Sequence, residues 1–383
     1  EEYEDLILNE LAEGKGPDIF QVSNNQLPRF FGKIAPLESA TYTPAVLEEN
    51  FVSIVALDFV KTNPETGKQA IYGIPLYVDT PIIYYNKKMY ESKVPERGRP
   101  GATWVQVMQD AQHFRVEADG KLTQGAIAMG RGDNITGAVD VLLNLMLQED
   151  VSFYDNSMRK LTFAGGAGER ALKLFTGFAN PKLKNYSWDE SLTSEDSELN
   201  EIEAFLSGKV AMMIGYSDVQ ARLEVDRKNL SAQGFDVISL SDIGFAPFPQ
   251  KSTDEDEKVV LAKYFADTVS RNSKNQLIAW DFVSFLADHA QALEYAKEAE
   301  RPSARRSVIA EQKSDPLLSV FVGQLGFAES IPMAHEHKYY ELLRDAIQQT
   351  VKGGDTTNAL TEASQAMQRF VPSEGLFPAV KQK

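Results

Sequence analysis

The chain has 383 residues, 43% hydrophobic and 25% charged, with a formal net charge of −16 and a pI near 4.8. That balance is an ordinary globular one; its acidic excess argues against a nucleic-acid partner, whose phosphates need clustered Lys and Arg, and against electrostatic attachment to anionic lipid. With no cysteine, disulfides, thiolate metal sites and cysteine nucleophiles are excluded too.

At roughly 150 residues per domain, the length predicts two or three domains. No run of about 18 apolar residues is present to span a bilayer, and a net charge of one sign favours a soluble monomer. The opening "EEYEDLILNELAEGKG" (1–16) is acidic and helix-prone, with Leu6, Ile7 and Leu11 at near-helical spacing. It reads as the middle of a domain rather than a signal peptide, so a targeting segment is expected outside this chain.

Next come "PDIFQV" (17–22) and "YGIPLYV" (72–78), short apolar runs bounded by Gly and Pro and therefore strand-like. "AVDVLLNLMLQED" (138–150) places Val139, Leu142, Leu143, Met146 and Leu147 on one helical face. "VAMMIGY" (210–216), "DVISLS" (236–241) and "VVLAKYFA" (259–266) read as strands, and 277–299 as a long amphipathic helix. The helix from 337 ends at Gly353 and Gly354, suited to a C-cap. This alternation is the rhythm of an α/β protein. The stretches 93–103, 187–201 and 249–259 read as loops, not linkers, so two domains would be joined by more than one crossing.

The catalytic motifs fail one by one. Four histidines, His113, His289, His335 and His337, include no HExxH pair, and "HEH" at 335–337 reads as solvated helix-start residues. No GxSxG elbow occurs. "GGAG" at 165–168 lacks the Lys-Ser/Thr pair of a phosphate loop and reads as a turn before a helix. "MGRGDNITGAVD" contains RGD at 131–133, but reads better as a strand-to-helix turn in which Asn134 or Thr136 caps the next helix. The acidic runs at 194–198 and 254–257 do not fit a calcium loop and read as solvated surface. No metal or cofactor is implied.

Aromatic residues remain, with 21 Phe, 14 Tyr and 3 Trp, most of them expected in the core. A few stand beside polar groups at strand ends: Tyr77 near Asp79, Tyr216 beside Ser217 and Asp218, Tyr264 beside Lys263. An apolar face next to fixed hydrogen-bond partners suits a sugar ring or another small polar ligand.

In chain order, "LAEGKGPDIFQVSNNQLPRFFGKIAPLE", "YGIPLYVDTPIIYYNKKMYE", "FLSGKVAMMIGYSDV", "AWDFVSFLAD" and "RPSARR" resemble the signature segments of the carbohydrate-type extracellular solute-binding proteins of ABC importers, the group related to maltose-binding protein. The resemblance runs from about residue 3 to 370. It implies an α/β, bilobed periplasmic binding protein type II fold with a multi-crossing hinge, closing on its ligand by hinge motion. One lobe would take residues 1–79 and 247–296, without the family's first strand and helix, and the other 80–246 and 297–383. It also implies export to the periplasm or cell surface, often with a lipid tether, and a permease as partner. "SNNQ" stands where the family often has an aromatic and an acid, and "IPMAHEHKYY" has no Trp where maltodextrin binders stack one.

The expected function is non-enzymatic capture of a small polar solute, with a carbohydrate the leading class. Asn24 and Asn25 are expected to offer amides from the first lobe, and Asp79 to accept from a hydroxyl or fix the hinge. Asn134, Tyr216 and Asp218 are expected to close from the second lobe. The rival readings are a glycoside hydrolase with paired carboxylates and a surface adhesin resting on RGD and the acidic loops.

Overall fold

The computed structural model describes residues 2–193 and 200–379; the acidic run at 194–198 lies outside the described residues. Seven strands position the site: β1 (Ile19–Ser23), β2 (Ile82–Asn86), β3 (Val116–Ala118), β4 (Lys121–Ile127), β5 (Val210–Gly215), β6 (Ile243–Pro247) and β7 (Phe265–Val269). β1 and β7 pair antiparallel, with Ile19 opposite Val269, and single bridges add Ile34 to Ser270 and Ile74 to Asp267. The other five form one sheet in the order β3-β4-β5-β2-β6, in which only β4 and β5 run parallel.

The central strands are rich in Val, Ile, Met and Tyr and buried on both faces, the condition of a sheet covered by helices. The helix Trp104–Phe114, opened by a Thr103–Gln106 capping box, and the almost wholly buried helix Ala138–Gln148 belong to this second unit.

The chain leaves the small sheet between Ile74 and Ile82 and returns between Pro247 and Phe265. A third pass lies alongside, where Ala328–Glu329 pairs parallel with Val260–Leu261. It leads to the helices Glu336–Val351 and Thr356–Gln368, which pack on the helices Ala138–Gln148 and Gly166–Gly177. Bridges from Phe51 to Arg305 and from Tyr77 to Ser303 hold residues 303–305 against the first unit.

Three sequence expectations are corrected. No strand forms over 236–241; it comes later, at Ile243–Pro247. There the Tyr85 ring lies against Gly244, where a Cβ would come within 2.3 Å of it, so Gly244 must face that ring. Residues 72–78 form an extended crossing with isolated bridges, since Pro75 has no N–H for a ladder. The predicted long helix is two, Gln276–Leu286 and His289–Glu298, because Asp288 is extended at ψ 157°.

Two glycines are required by the backbone. Gly14 adopts φ +71° just past the helix Glu2–Glu13, and Lys15 and Gly16 donate back to the Glu10 carbonyl. This stop aims β1 at the crossings. On β4, a Cβ at Gly125 would sit 1.9 Å from the Ser187 carbonyl oxygen. Gly125→Ala is therefore expected to destabilise by about 3 kcal/mol, the overpacking cost when the clash is with backbone. Denaturant unfolding measures it; an unchanged midpoint would contradict the close approach.

Candidate functional site

Where the passes run side by side, a cavity of about 370 Å³ opens between the two units. Tyr77, Asp79, Lys263 and Tyr264 come to it from the crossings, and Glu201, Tyr216, Asp218 and Arg222 from the second unit. Tyr340, from the helix Glu336–Val351, completes the wall.

Asp79 sits on the first crossing with its carboxylate buried. It accepts from the Ser217 hydroxyl, from the Ser217 N–H at 3.1 Å and from the Thr80 N–H at 3.0 Å, while Arg301 Nη1 lies 3.2 Å away. Its backbone carbonyl accepts from Lys263 N–H at 2.9 Å. One carboxylate thus ties the first crossing to the end of β5 and to Arg301. Burial pushes its carboxyl up to about 6, against the opposing pull of Ser217 and Arg301.

Asn24 follows β1 and stitches the other two crossings. Its Nδ2 donates to the Ala262 carbonyl at 3.1 Å and to Ser330 Oγ at 2.7 Å, and its Oδ1 accepts from Tyr264 N–H at 3.1 Å. Asp58 closes the group, accepting from the Tyr264 hydroxyl at 2.6 Å and from Ser330 at 2.7 Å. Burial also raises Asp58 to about 6, opposed by the hydrogen bonds from Tyr264, Ser330 and Asn24 and the Lys61 charge. Asn24 does not line the 370 Å³ cavity; it borders a neighbouring one with Asp58 and Ser330.

The sign of the resulting pH dependence follows from linkage. An aspartate with a native pKa near 6 and an unfolded value of about 3.9 holds more protons when folded across that interval, so its contribution is fully present below about pH 4 and lost as pH rises through 6. For buried Asp79 the loss is about 3 kcal/mol. Unfolding free energies of wild type and Asp79→Asn, measured from pH 4 to 7, should converge or cross by that order; parallel curves would contradict the raised value.

Lys263 anchors the far side of the cavity. Its ammonium lies 3.4 Å from Asp140, 3.6 Å from Glu336 and 3.3 Å from the Tyr340 hydroxyl, and 4.5 Å from the Tyr340 ring centre. Burial alone would lower its pKa, but the Asp140 and Glu336 charges outweigh it and raise it. Tyr340 also hydrogen-bonds Asp140. Arg301 lies over the Tyr77 ring at 4.8 Å, so cations and aromatic faces alternate along the wall.

Tyr216 lines this cavity, and its hydroxyl is buried with no partner among the described residues. Burial, then the negative charges of Asp140, Asp79, Glu336 and Asp218, hold that hydroxyl well above its ordinary pKa. Asp218, the next residue but one, is exposed at the rim.

Of the six residues expected from sequence, the structure brings Asp79, Tyr216 and Asp218 to one cavity. Asn25 is buried with both amide atoms unpartnered, while its backbone carbonyl accepts from Met333 N–H at 2.7 Å. Asn134 accepts from Trp188 Nε1 at 2.8 Å and does not cap the helix Ala138–Gln148; Gly137 holds that cap position without a side-chain bond. Thr136 does not cap it either, but its N–H donates to Glu201 at 3.1 Å. In the RGD stretch, Arg131 grips the Asp133 carboxylate at 2.9 and 2.6 Å, so the two charges are turned on each other. Sequence reasoning missed Asp140, Glu201, Arg301 and Tyr340, and noted Lys263 only as the neighbour of Tyr264. The first four meet the site only through the fold.

A search of curated proteins returns no significant match. Among solved structures, the sugar-binding protein MalE of Xanthomonas citri matches with a TM-score of 0.71 at 18% identity, over 96% of this chain and 87% of that one. An ABC transporter solute-binding protein of Thermotoga lettingae TMO bound with α-D-tagatose matches at 0.68 and 20%, over 96% and 88%. The GacH receptor of Streptomyces glaucescens GLA.O, solved unliganded and with acarbose, matches at 0.69 and 19%, over 96% and 87%. At such identities the likeness is one of fold: a mixed α/β periplasmic binding protein over nearly the whole chain. The sequence pattern described as bacterial extracellular solute-binding protein matches residues 1–293. The chain belongs to the bacterial extracellular solute-binding protein family, the non-catalytic solute-capturing components of ABC transporters.

Proposed function

We propose that the protein captures a sugar-like solute in the 370 Å³ cavity and presents its closed form to a membrane permease outside the cytoplasm. The observation that carries this reading is the Tyr216 hydroxyl, buried at the cavity wall without a protein partner, among aromatic faces and charged hydrogen-bonding groups. A flat ring beside fixed donors and acceptors is what a sugar offers its own faces and hydroxyls to. The volume lies at the low end of the roughly 300–1,000 Å³ range of ligand pockets, which favours a mono- or disaccharide over a long maltodextrin. The solved neighbours bound with tagatose and acarbose support the class.

In this reading Tyr216 and Asp218 face the solute, while Asp79 and Asn24 hold the crossings about which two lobes close. The bridges from Phe51 to Arg305 and from Tyr77 to Ser303 support keeping residues 303–305 with the first lobe, where the expected boundary puts 297–383 in the second. Among the described residues no helix is long and apolar enough to cross a membrane.

A thermal-shift screen of monosaccharides, disaccharides, polyols and short peptides tests this. A bound solute at a hundred times its Kd adds about 2.7 kcal/mol by mass action, a rise of several degrees. A shift from at least one saccharide is expected; shifts from peptides alone, or from nothing in the panel, would overturn the reading.

A further inference from the structure

Most charges lining the cavity are answered. Asp79 has Arg301, and Asp140 has Lys263, which Glu336 shares. Glu201 is different. It stands in the helix Asn200–Leu206, only 5% exposed, and its Oε1 accepts from the Thr136 N–H at 3.1 Å. Its Oε2 is buried and has no hydrogen-bond partner. The second unpartnered buried atom on the same wall is the Tyr216 hydroxyl. Asp218, at the rim, makes no ion pair among the described residues.

A buried carboxylate oxygen without a donor is costly. The cost is offset if the ligand brings the donor. A neutral hydroxyl could bring one hydrogen bond, but the setting is more negative than that needs. Beyond the paired Asp79 and Asp140, the wall carries two further carboxylates, Glu201 and Asp218, with no ion pair among the described residues. Arg222, exposed at the rim, is the one cavity cation not committed to a carboxylate among the described residues. A metal ion does not suit the donor set, because among the described residues no three His, Asp or Glu side chains converge closely enough to hold one. An organic ammonium does suit it. It brings three N–H donors to a wall that carries Glu201 Oε2, the Tyr216 hydroxyl and Asp218, and charge-assisted hydrogen bonds are about twice as strong as neutral ones.

We propose that the captured solute carries an ammonium group, as an amino sugar does, and that Glu201, supported by Tyr216 and Asp218, selects it. This rests on the reading of the cavity as a capture site for a sugar-like solute.

Calorimetric titration at pH 6.5 with D-glucose, D-galactose and D-mannose, each against its 2-amino-2-deoxy counterpart, tests the selection. At least one amino sugar is expected to bind about tenfold or more tightly than its parent, a difference of about 1.4 kcal/mol. Glu201→Gln should bring that ratio close to one. Asp218→Asn, at an exposed position that does not threaten folding, should reduce it in the same direction. Parents that bind as tightly as their amines, or a preference that survives Glu201→Gln in a folded variant, overturn the amine and leave sugar capture standing. If Glu201→Gln fails to fold, an amine preference unchanged by Asp218→Asn overturns it. Silence from all six sugars also overturns it, and the wider saccharide panel then decides the capture reading separately.

Discussion

Asp79→Ala is expected to cost about 3 kcal/mol of stability, at the lower end of what removing one partner of a buried ion pair costs. The loss has several parts. Arg301 keeps its charge in a half-buried position but loses its carboxylate. The Ser217 N–H and hydroxyl and the Thr80 N–H lose their shared acceptor in a region that water does not reach, and each unsatisfied buried donor costs about 1–3 kcal/mol before relaxation. Asp79→Asn keeps an acceptor oxygen for Ser217 and should lose less at neutral pH. Equilibrium denaturation at pH 7 reads both. Because Asp79 joins the first crossing to the end of β5, the alanine variant should also weaken solute binding although Asp79 is already saturated by protein donors. A variant as stable as wild type would show that the crossing is held by other contacts.

The second large effect falls on binding. Tyr216→Ala is expected to weaken the solute by about 30- to 100-fold, or roughly 2–3 kcal/mol, the value of a buried aromatic face together with a hydrogen bond. Tyr216→Phe separates the two. It removes a hydroxyl that has no protein partner, so the free protein should be as stable as wild type or slightly more so, while affinity falls about three- to tenfold. That opposite movement of stability and affinity marks a ligand-facing group. A purely structural tyrosine would lose stability with either substitution and leave the affinity ratio unmoved.

How much of this was legible in the sequence depended on how local the cause was. The Gly14 turn, β1, the helix Ala138–Gln148 and the Gly353 stop rest on neighbouring residues and could be read directly. The place of Tyr216 and Asp218 at the cavity was also suggested by their position at a strand end. Asn24 shows the limit. Its position after β1 suggested a ligand contact, but its partners Ala262, Tyr264 and Ser330 lie more than 200 residues away, and they make it a tie between crossings. The same holds for Asn134, whose amide serves Trp188, 54 positions on. Lys263, Asp140, Glu336 and Tyr340 form one cluster from three separate segments, and no spacing rule joins them. The displaced strand at 243–247 has a similar origin: Gly244 is placed by the Tyr85 ring on the adjacent strand, a constraint that alternation within "DVISLS" does not contain.

The most direct test of solute capture is a crystal structure with the saccharide that stabilises the protein most. Solute density is expected between Tyr216 and the Lys263–Tyr340 pair, with a donor within hydrogen-bond distance of the Tyr216 hydroxyl and Glu201 Oε2. Density instead in the larger cavity of about 750 Å³ between the loop at 97–102 and the helix Leu318–Val322, with the 370 Å³ cavity holding only water, would contradict it.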